Sequence, residues 1–255
     1  MRDIFAGRHG ALRRQMSTIM GLVLPGSAAG VSFWKRAGFK VSGDNLVTLN
    51  NFTIGQSAAA ALSETGLEMT ATKSGSLDGI PLIAGEASTP NSAVSKLDAH
   101  PNKAARCYAL IVRTPSWRRT EAAILAETGL EPAAVRTDIY PGLRLSFFKL
   151  LGAGGHLELI APAEEHADAA KRDRPAAVWG LTFEVGASLD HLGPLLGEDA
   201  VGAPRKAVQP GRVFAALRGH GFAAVKDDEG QPATPAPALA VGFISTAPSA
   251  SARRF

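Results

Sequence analysis

The sequence is short of the residues that several classes of protein need. Its 255 residues include one cysteine, Cys107, which excludes an intramolecular disulfide framework and a zinc site built from several cysteines. No apolar run reaches the roughly 18 residues that a membrane-spanning helix requires. Only 6% of the residues are aromatic and the net charge of +4 is spread along the chain, so we expect no nucleic-acid partner.

The chain does have an ordinary globular composition and a basic N-terminus. Hydrophobic residues make up 45% of it and charged residues 20%, which suits one large domain or two small ones. Residues 1–16 are rich in arginine, with Asp3 as their one acid. They predict a basic arm of a cytoplasmic protein or, as the alternative, a mitochondrial targeting peptide. Residues 248–255 are predicted to form a C-terminal tail.

The clearest pattern covers residues 104–163. An apolar, β-branched stretch from Cys107 to Thr114 predicts a buried strand. A helix follows, with Ser116 as its N-cap and Gly129 at its end. Three more strand-like segments, separated by Pro-Gly and Gly-rich turns, are EPAAVRTDIY, LRLSFFKLL and HLELIAP. The predicted order is β-α-β-β-β.

The same order recurs in residues 177–246. VWGLTFEV predicts a strand, and a helix begins after Ser188. Three strand-like segments follow: GAPRKAV, RVFAALRG and ALAVGFIS. The Pro- and Ala-rich QPATPAPA before the last of them is predicted to be a solvent loop. Two tandem βαβββ units are therefore predicted to pair over residues 104–247.

The first hundred residues carry weaker signs of the same unit. Residues 61–74 echo the helix end around Gly129, with Gly66 in its place at an offset of 63 residues (129 − 66). Gly38 has a similar setting but lies only 28 residues before Gly66 (66 − 38), too few for a complete unit. We therefore predict that residues 17–95 form one incomplete or degenerate unit, joined to the rest by a polar linker.

Three stretches between residues 104 and 245 resemble glyoxalase-like members of the vicinal oxygen chelate superfamily: FFKLLGAGGHLELIAP, VWGLTFEV with LDHLGPLLGE, and AVQPGRVFAALRG ending in LAVGFIS. The resemblance implies an α+β fold in which tandem βαβββ units form curved mixed sheets around a cavity, as in glyoxalases and dihydroxybiphenyl dioxygenases. It implies a small-molecule ligand in that cavity and a lyase or dioxygenase-type activity. A non-catalytic metabolite-binding protein or a structural protein is the alternative, and a homodimer is a candidate assembly.

The resemblance also implies a divalent metal, held by a histidine on the first strand of each unit and by a glutamate or similar residue on each last strand. Neither first strand of this sequence contains histidine, and the last strand of the second unit contains no acid. Glu158 alone matches a ligand position. The usual ligand set is largely absent, so the cofactor stays open, with Glu158 as the one expected metal ligand.

His156 and Glu158 are the predicted catalytic residues. They are two positions apart on a predicted strand, so both side chains point to the same face of the sheet. There they form either a weak metal site or an acid-base couple, in which burial would raise the pKa of the glutamate. The alternative places His156 in solvent beside a turn and pairs Glu158 with an arginine.

Five further residues are candidates for substrate binding. The turn from Gln209 to Arg212 either holds a ligand anion through its guanidinium or is a structural bulge with a solvated arginine. Arg144 and Phe148 share one face of their strand, as cavity wall or as half-exposed sheet residues. Trp179, on the first strand of the second unit, completes the set.

Overall fold

The computed structural model describes residues 18–25, 28–43, 47–57, 65–69, 75–84, 100–151, 155–164, 169–218 and 239–249. The predicted basic arm, most of the predicted tail and linker, and the loop QPATPAPA lie outside these ranges. None of the helices within them is both long and apolar enough to cross a lipid bilayer.

The N-terminal part forms a six-stranded mixed sheet. Its elements are β1 (Ile19–Pro25), α1 (Ala28–Arg36), β2 (Val47–Leu49), β3 (Phe52–Ser57), β4 (Gly66–Met69), β5 (Gly75–Leu77) and β6 (Ile80–Ala84). The strand order is β2-β3-β1-β4-β6-β5, with β1 and β4 antiparallel at the centre. On one side of this pair, β3 runs parallel to β1 and the outer strand β2 runs antiparallel to β3. On the other side, β6 runs parallel to β4 and the outer strand β5 runs antiparallel to β6. The sheet therefore consists of two three-stranded halves, where the sequence predicted one incomplete unit.

The rest of the chain forms an eight-stranded sheet from two units. The first contains β7 (Ala104–Arg113), α2 (Trp117–Thr128), β8 (Ala134–Arg136), β9 (Leu143–Phe148) and β10 (His156–Pro162). The short helix α3 (Ala169–Arg172) precedes the second, which contains β11 (Ala177–Val185), a 3₁₀ turn (Leu189–His191), α4 (Leu192–Leu196), β12 (Arg205–Lys206), β13 (Val213–Ala216) and β14 (Ala240–Ser245). The predicted α+β class, with tandem βαβββ units in mixed sheets, is confirmed.

The two units meet at β7 and β11, which pair antiparallel. The strand order is β12-β13-β14-β11-β7-β10-β9-β8. In each unit the last strand returns parallel to the first, because β10 pairs with β7 and β14 pairs with β11. The junction of the units therefore lies at the centre of the sheet.

The ends of helix α2 follow from its sequence. The side chain of Ser116 accepts a hydrogen bond from the backbone N–H of Arg119. Gly129 has a φ of +73°, and its N–H donates to the carbonyl of Leu125. Gly66, by contrast, is the first residue of strand β4, so the echo between Gly66 and Gly129 does not mark equivalent positions.

One face of the eight-stranded sheet is buried. The β10 residues Leu157, Leu159 and Ala161 are at most 2% exposed, whereas the alternating His156 and Glu158 are half-buried on the other face. Aromatic side chains fill the buried side between the sheet and the N-terminal part: Trp34, Phe39, Phe183 and Phe243. We call the opposite side, which carries His156 and Glu158, the open face.

The end of the predicted linker is buried between the two sheets. His100 Nδ1 accepts from the backbone N–H of Lys40 at 3.0 Å, so the ring proton lies on Nε2, 3.0 Å from the carbonyl of Thr48. Asn102, fully buried, donates to the carbonyl of Ala37 at 2.8 Å. The polar residues at the end of the predicted linker therefore satisfy buried backbone groups.

Candidate functional site

Six polar or aromatic side chains gather on the open face, above the junction of the two units. This set, which we call the polar cluster, consists of Arg106 and Tyr108 from β7, His156 and Glu158 from β10, Glu184 from β11, and Arg212 immediately before β13. The side chains of its five ionisable residues other than the tyrosine are between 15% and 22% exposed. The cluster is therefore largely shielded from water and still accessible.

An irregularity in strand pairing brings Tyr108 into the polar cluster. The pairing of β7 with β11 slips at this point, because Ala109 pairs with Thr182 and Cys107 with Phe183, which leaves Tyr108 as the extra residue. Such a bulge changes the face to which the side chains point. Cys107 and Leu110 are fully buried, whereas Tyr108 is only half-buried.

The N-terminal sheet contacts β7 beside this bulge. The carboxamide of Asn51, in the turn between β2 and β3, accepts from the N–H of Cys107 at 2.9 Å and donates to its carbonyl at 3.0 Å. The pairing of β7 with β10 begins only at Ala109. Asn51 therefore satisfies the backbone of β7 beyond the end of its neighbouring strand.

Two arginines share one carboxylate in the polar cluster. Arg106 Nε donates to Glu184 Oε2, and Arg212 Nη1 donates to Glu184 Oε1 at 2.6 Å. Burial tends to raise the pKa of Glu184, but the bonds and charges of the two arginines outweigh it and hold that pKa below its ordinary value. With Glu184 ionised, the three side chains carry one net positive charge.

The predicted catalytic residues lie next to each other at the other end of the polar cluster. His156 Nε2 is 4.0 Å from Glu158 Oε2, too far for a hydrogen bond. Burial raises the pKa of Glu158 to about 7. Burial and then the charges of Arg212 and Arg106 lower the pKa of His156 to about 4. Both groups are therefore uncharged between about pH 4 and pH 7, so the 4.0 Å contact is not an ion pair in this range.

Aromatic rings surround His156. Its ring meets the rings of Tyr108 and Phe147 edge to face, with centroids 4.9 Å and 5.5 Å apart. The guanidinium of Arg212 lies 4.6 Å from the centroid of Tyr108. His156 Nε2 is buried and has no hydrogen-bond partner among the described residues. A buried polar atom in this state indicates a position that a ligand or a water fills.

Arg144 and Phe148 lie on the opposite face from the polar cluster, which corrects their prediction as cavity residues. Arg144 contacts Glu121 of α2 at 3.1 Å and stacks 4.0 Å from the ring of Trp117, while Phe148 is fully buried. They share a face, as predicted. That face is the one covered by helix α2, since β9 pairs Phe148 with the buried Leu157.

The remaining binding candidates lie at different places. Arg212 joins the polar cluster, where its guanidinium donates to Glu184. The carbonyl of Gln209 accepts the N–H of Arg212 at 3.3 Å and closes the turn, in which Gly211 has a φ of +72°. Trp179 is the extra residue at a second slip between β7 and β11, and Arg113 stacks 4.2 Å from its ring.

Sequence reasoning missed Arg106, Tyr108 and Glu184. A signal for two of them was present, because Arg106 and Glu184 are charged residues within otherwise apolar strands. Such residues need a partner when the strand is central, which points to each other or to a site. Tyr108 carried no comparable signal, since its orientation depends on the bulge.

Comparison with solved structures supports the architecture. The chain superposes on a variant of 4-hydroxymandelate synthase from Streptomyces coelicolor with a TM-score of 0.56 at 13% identity, covering 94% of both chains. The chain has the glyoxalase-like fold. Methylmalonyl-CoA epimerase from Mycobacterium tuberculosis also matches, with a TM-score of 0.41 and 12% identity over 60% of this chain and 95% of the epimerase. No protein-family model matches the sequence, and no curated protein matches it.

The metal site that the glyoxalase-like fold implies does not fit the residues present. His156 and Glu158 supply two donors, and no group of three or more His, Cys, Asp or Glu side chains that could hold a metal exists in the described part of the chain. Glu184 is already bonded to two arginines, whose positive charges oppose a nearby cation. Among the described residues, Glu158 therefore lacks the further ligands that its predicted role in metal binding would need.

Proposed function

We propose that this glyoxalase-like protein binds a small molecule at the polar cluster and transfers protons without a metal, as a lyase. The observation that supports this most is the pair of His156 and Glu158, 4.0 Å apart and both uncharged between about pH 4 and pH 7. A neutral imidazole can accept a proton, and a neutral carboxyl group can donate one. One site therefore holds a base and an acid over the same range of pH.

The proposed reaction is an elimination. His156 takes a proton from a substrate carbon, the C–H electron pair forms the new double bond, and the leaving group departs with the proton of Glu158. The histidine is then an imidazolium and the glutamate a carboxylate. Transfer of the proton from His156 to Glu158 restores both. Arg106 and Arg212 stabilise negative charge that develops on the substrate during the first step.

The test of the elimination has two parts. A thermal-shift screen of small dicarbonyls, catechols and thiol conjugates identifies a ligand, since a ligand at 100 times its Kd stabilises the folded state by about 2.7 kcal/mol. Turnover of that ligand, measured with and without chelator, should be metal-independent and highest between about pH 4 and pH 7. The variants Glu158→Gln and His156→Gln should each lower kcat by about 100-fold or more.

A result that contradicts acid-base catalysis would be full activity of Glu158→Gln, or activity that requires added Mn²⁺, Fe²⁺, Ni²⁺ or Zn²⁺. The matched control is Arg205→Met, because Arg205 is an exposed cation on the outer strand β12 and stacks on the Phe214 ring of β13. It should keep full activity.

The second candidate function is non-catalytic metabolite binding at the same cluster. It is favoured by the ion-pair network of Arg106, Glu184 and Arg212, in which fixed charged groups can recognise a ligand without reacting with it. A ligand that binds tightly, is not turned over, and still binds to Glu158→Gln would support it. A homodimer and a cytoplasmic or mitochondrial location stay predictions.

A further inference from the structure

The two ends of the polar cluster have different chemistry, so a ligand that contacts both ends needs a different group at each. At one end, Arg106 and Arg212 hold Glu184. At the other end are His156 and Glu158. The ring of Tyr108 lies between them, 4.6 Å from the Arg212 guanidinium and 4.9 Å from the ring of His156.

At the arginine end, Arg212 has further N–H donors that can bind an anion. A guanidinium has five N–H donors, and within the described residues Arg212 uses one nitrogen, Nη1, to donate to Glu184. The Arg212 side chain is about one-fifth exposed, so a ligand can reach its remaining N–H donors in surroundings that hold little water. Charge-assisted bonds to a carboxylate are strong in such a place.

The histidine end has an atom that a ligand can satisfy. His156 Nε2 is buried and has no hydrogen-bond partner in the described part of the chain. Its ring is held between Tyr108 and Phe147, so the nitrogen has a fixed position. A hydroxyl or carbonyl oxygen of a ligand would supply the missing partner.

We infer that the ligand is a small organic acid with a second oxygen substituent, bound with its carboxylate at Arg212 and that oxygen at His156 Nε2. The inference rests on the proposed function, because it names the substrate class of the same site. It places the carbon atoms between the two oxygens over Tyr108. For a hydroxyl substituent, the C–O bond of the proposed elimination breaks as Glu158 protonates the oxygen, which departs as water, and His156 Nε2, released from its hydrogen bond to that oxygen, takes the proton from the neighbouring carbon.

The charge of the cluster makes acid binding dependent on pH. Glu158 lies 4.0 Å from His156 on its own strand and pairs with Ile111 of β7 and Phe147 of β9, while Arg106, Glu184 and Arg212 are the other charged members of the polar cluster. With Glu158 neutral the cluster has one net positive charge, and with Glu158 ionised it has none. An organic acid should therefore bind several-fold more weakly above about pH 7 than below it.

The experiment is an NMR titration of the full chain with 3-phenyllactate as the acid probe. Two matched compounds each lack one feature: 3-phenyllactamide lacks the charge, and 3-phenylpropionate lacks the hydroxyl group. We expect both to bind at least about tenfold more weakly than 3-phenyllactate. The shifted signals should include those of Tyr108 and His156.

The variant Arg212→Met should weaken 3-phenyllactate binding by about tenfold or more, while Arg205→Met leaves it unchanged. Arg212→Lys keeps the charge, so its affinity for 3-phenyllactate should lie between those of Arg212→Met and Arg205→Met. An unchanged amide spectrum away from the site would show that each variant is folded. Equal affinities for the acid and the amide, equal effects of Arg212→Met and Arg205→Met, or no binding of 3-phenyllactate at millimolar concentration would overturn the inference.

The variant Glu158→Gln separates this inference from the proposed function. It should bind 3-phenyllactate with the loss of affinity above pH 7 abolished. If wild type discriminates acid from amide through Arg212 but Glu158 does not titrate near pH 7 in the NMR spectra, the anion site stands and the proton-transfer role of Glu158 fails. If Glu158 titrates near pH 7 while acid and amide bind alike, the substrate class fails and the proton-transfer role stands.

Discussion

At the scale of single residues, burial decides which side chains of this protein carry charge. His156 and Glu158 are both kept neutral by burial, although in water near pH 5.5 each would be ionised. His100 has a lowered pKa for the same first reason, burial, and its Nδ1 must stay unprotonated to accept from Lys40. The thiol of Cys107, fully buried, has a raised pKa and is unsuited to nucleophilic chemistry.

The raised pKa of Glu158 should be visible in the pH dependence of stability. Because the folded state holds the proton more tightly than the unfolded chain, its contribution is complete below about pH 4.5 and is lost as pH rises to about 7. A shift from 4.5 to about 7 corresponds to about 3 kcal/mol.

Urea unfolding of wild type and Glu158→Gln at a series of pH values measures this contribution. The wild type should lose stability relative to the variant between pH 4.5 and pH 7, since glutamine does not titrate. His156 acts in the opposite direction between about pH 4 and pH 6.5 in both proteins and therefore cancels in the comparison. Parallel curves would show that Glu158 has an ordinary pKa.

At the scale of secondary-structure elements, local chemistry fixes where elements begin and end. Ser116 and Gly129 bound α2, and Ser188 caps the 3₁₀ turn that leads into α4. Strand β10 begins at His156, so Glu158, two positions later, lies on the same face of the sheet. The start of β10 thus decides that the two predicted catalytic residues, His156 and Glu158, point to the same face of the sheet.

The C-cap of α2 offers a test of this local control. Gly129 has a φ of +73° and open space around it, so Gly129→Ala adds backbone strain without a clash. We expect it to lower the free energy of unfolding by about 1 kcal/mol. Gly186→Ala is the matched control, because Gly186 also has open space but no left-handed φ, and it should be neutral. Equal effects in chemical denaturation would contradict the account.

At the scale of the whole molecule, contacts between the two sheets hold the site in place. Asn51 binds the backbone of Cys107 beside the bulge that orients Tyr108. Asp78, between β5 and β6, receives a bond of 2.5 Å from Arg119 of α2 and one from Thr120. Arg119 also donates to the carbonyl of Arg172 at 2.8 Å. Helix α3, which precedes the second unit, is therefore bonded to the same arginine as Asp78.

Removing the charge of Asp78 should weaken the docking of the sheets. Its side chain is 5% exposed, and the variant Asp78→Asn keeps a residue that tolerates its φ of +48°. We expect a loss of about 2 kcal/mol in the free energy of unfolding, because the bond from Arg119 and the bond from Thr120 lose their ionised acceptor.

Asp138→Asn is the control for Asp78, since Asp138 forms an exposed ion pair with Arg136 and should leave stability unchanged. Thermal unfolding followed by circular dichroism measures both variants. If Asp78→Asn were as stable as Asp138→Asn, the contact between the sheets would not depend on this pair.

The sequence by itself determined the elements of the paired units, the caps of α2, and the placement of His156 and Glu158 on one face, because periodicity and turn residues act over a few positions. The tertiary structure alone decided which face is open. Arg144 and Phe148 have the right spacing for a site, but helix α2 covers their side of the sheet. The bulge at Tyr108 depends on the pairing of β7 with β11 between the units, and the bond between Arg212 and Glu184, 28 residues apart, depends on strand pairing within the second unit; local sequence encodes neither.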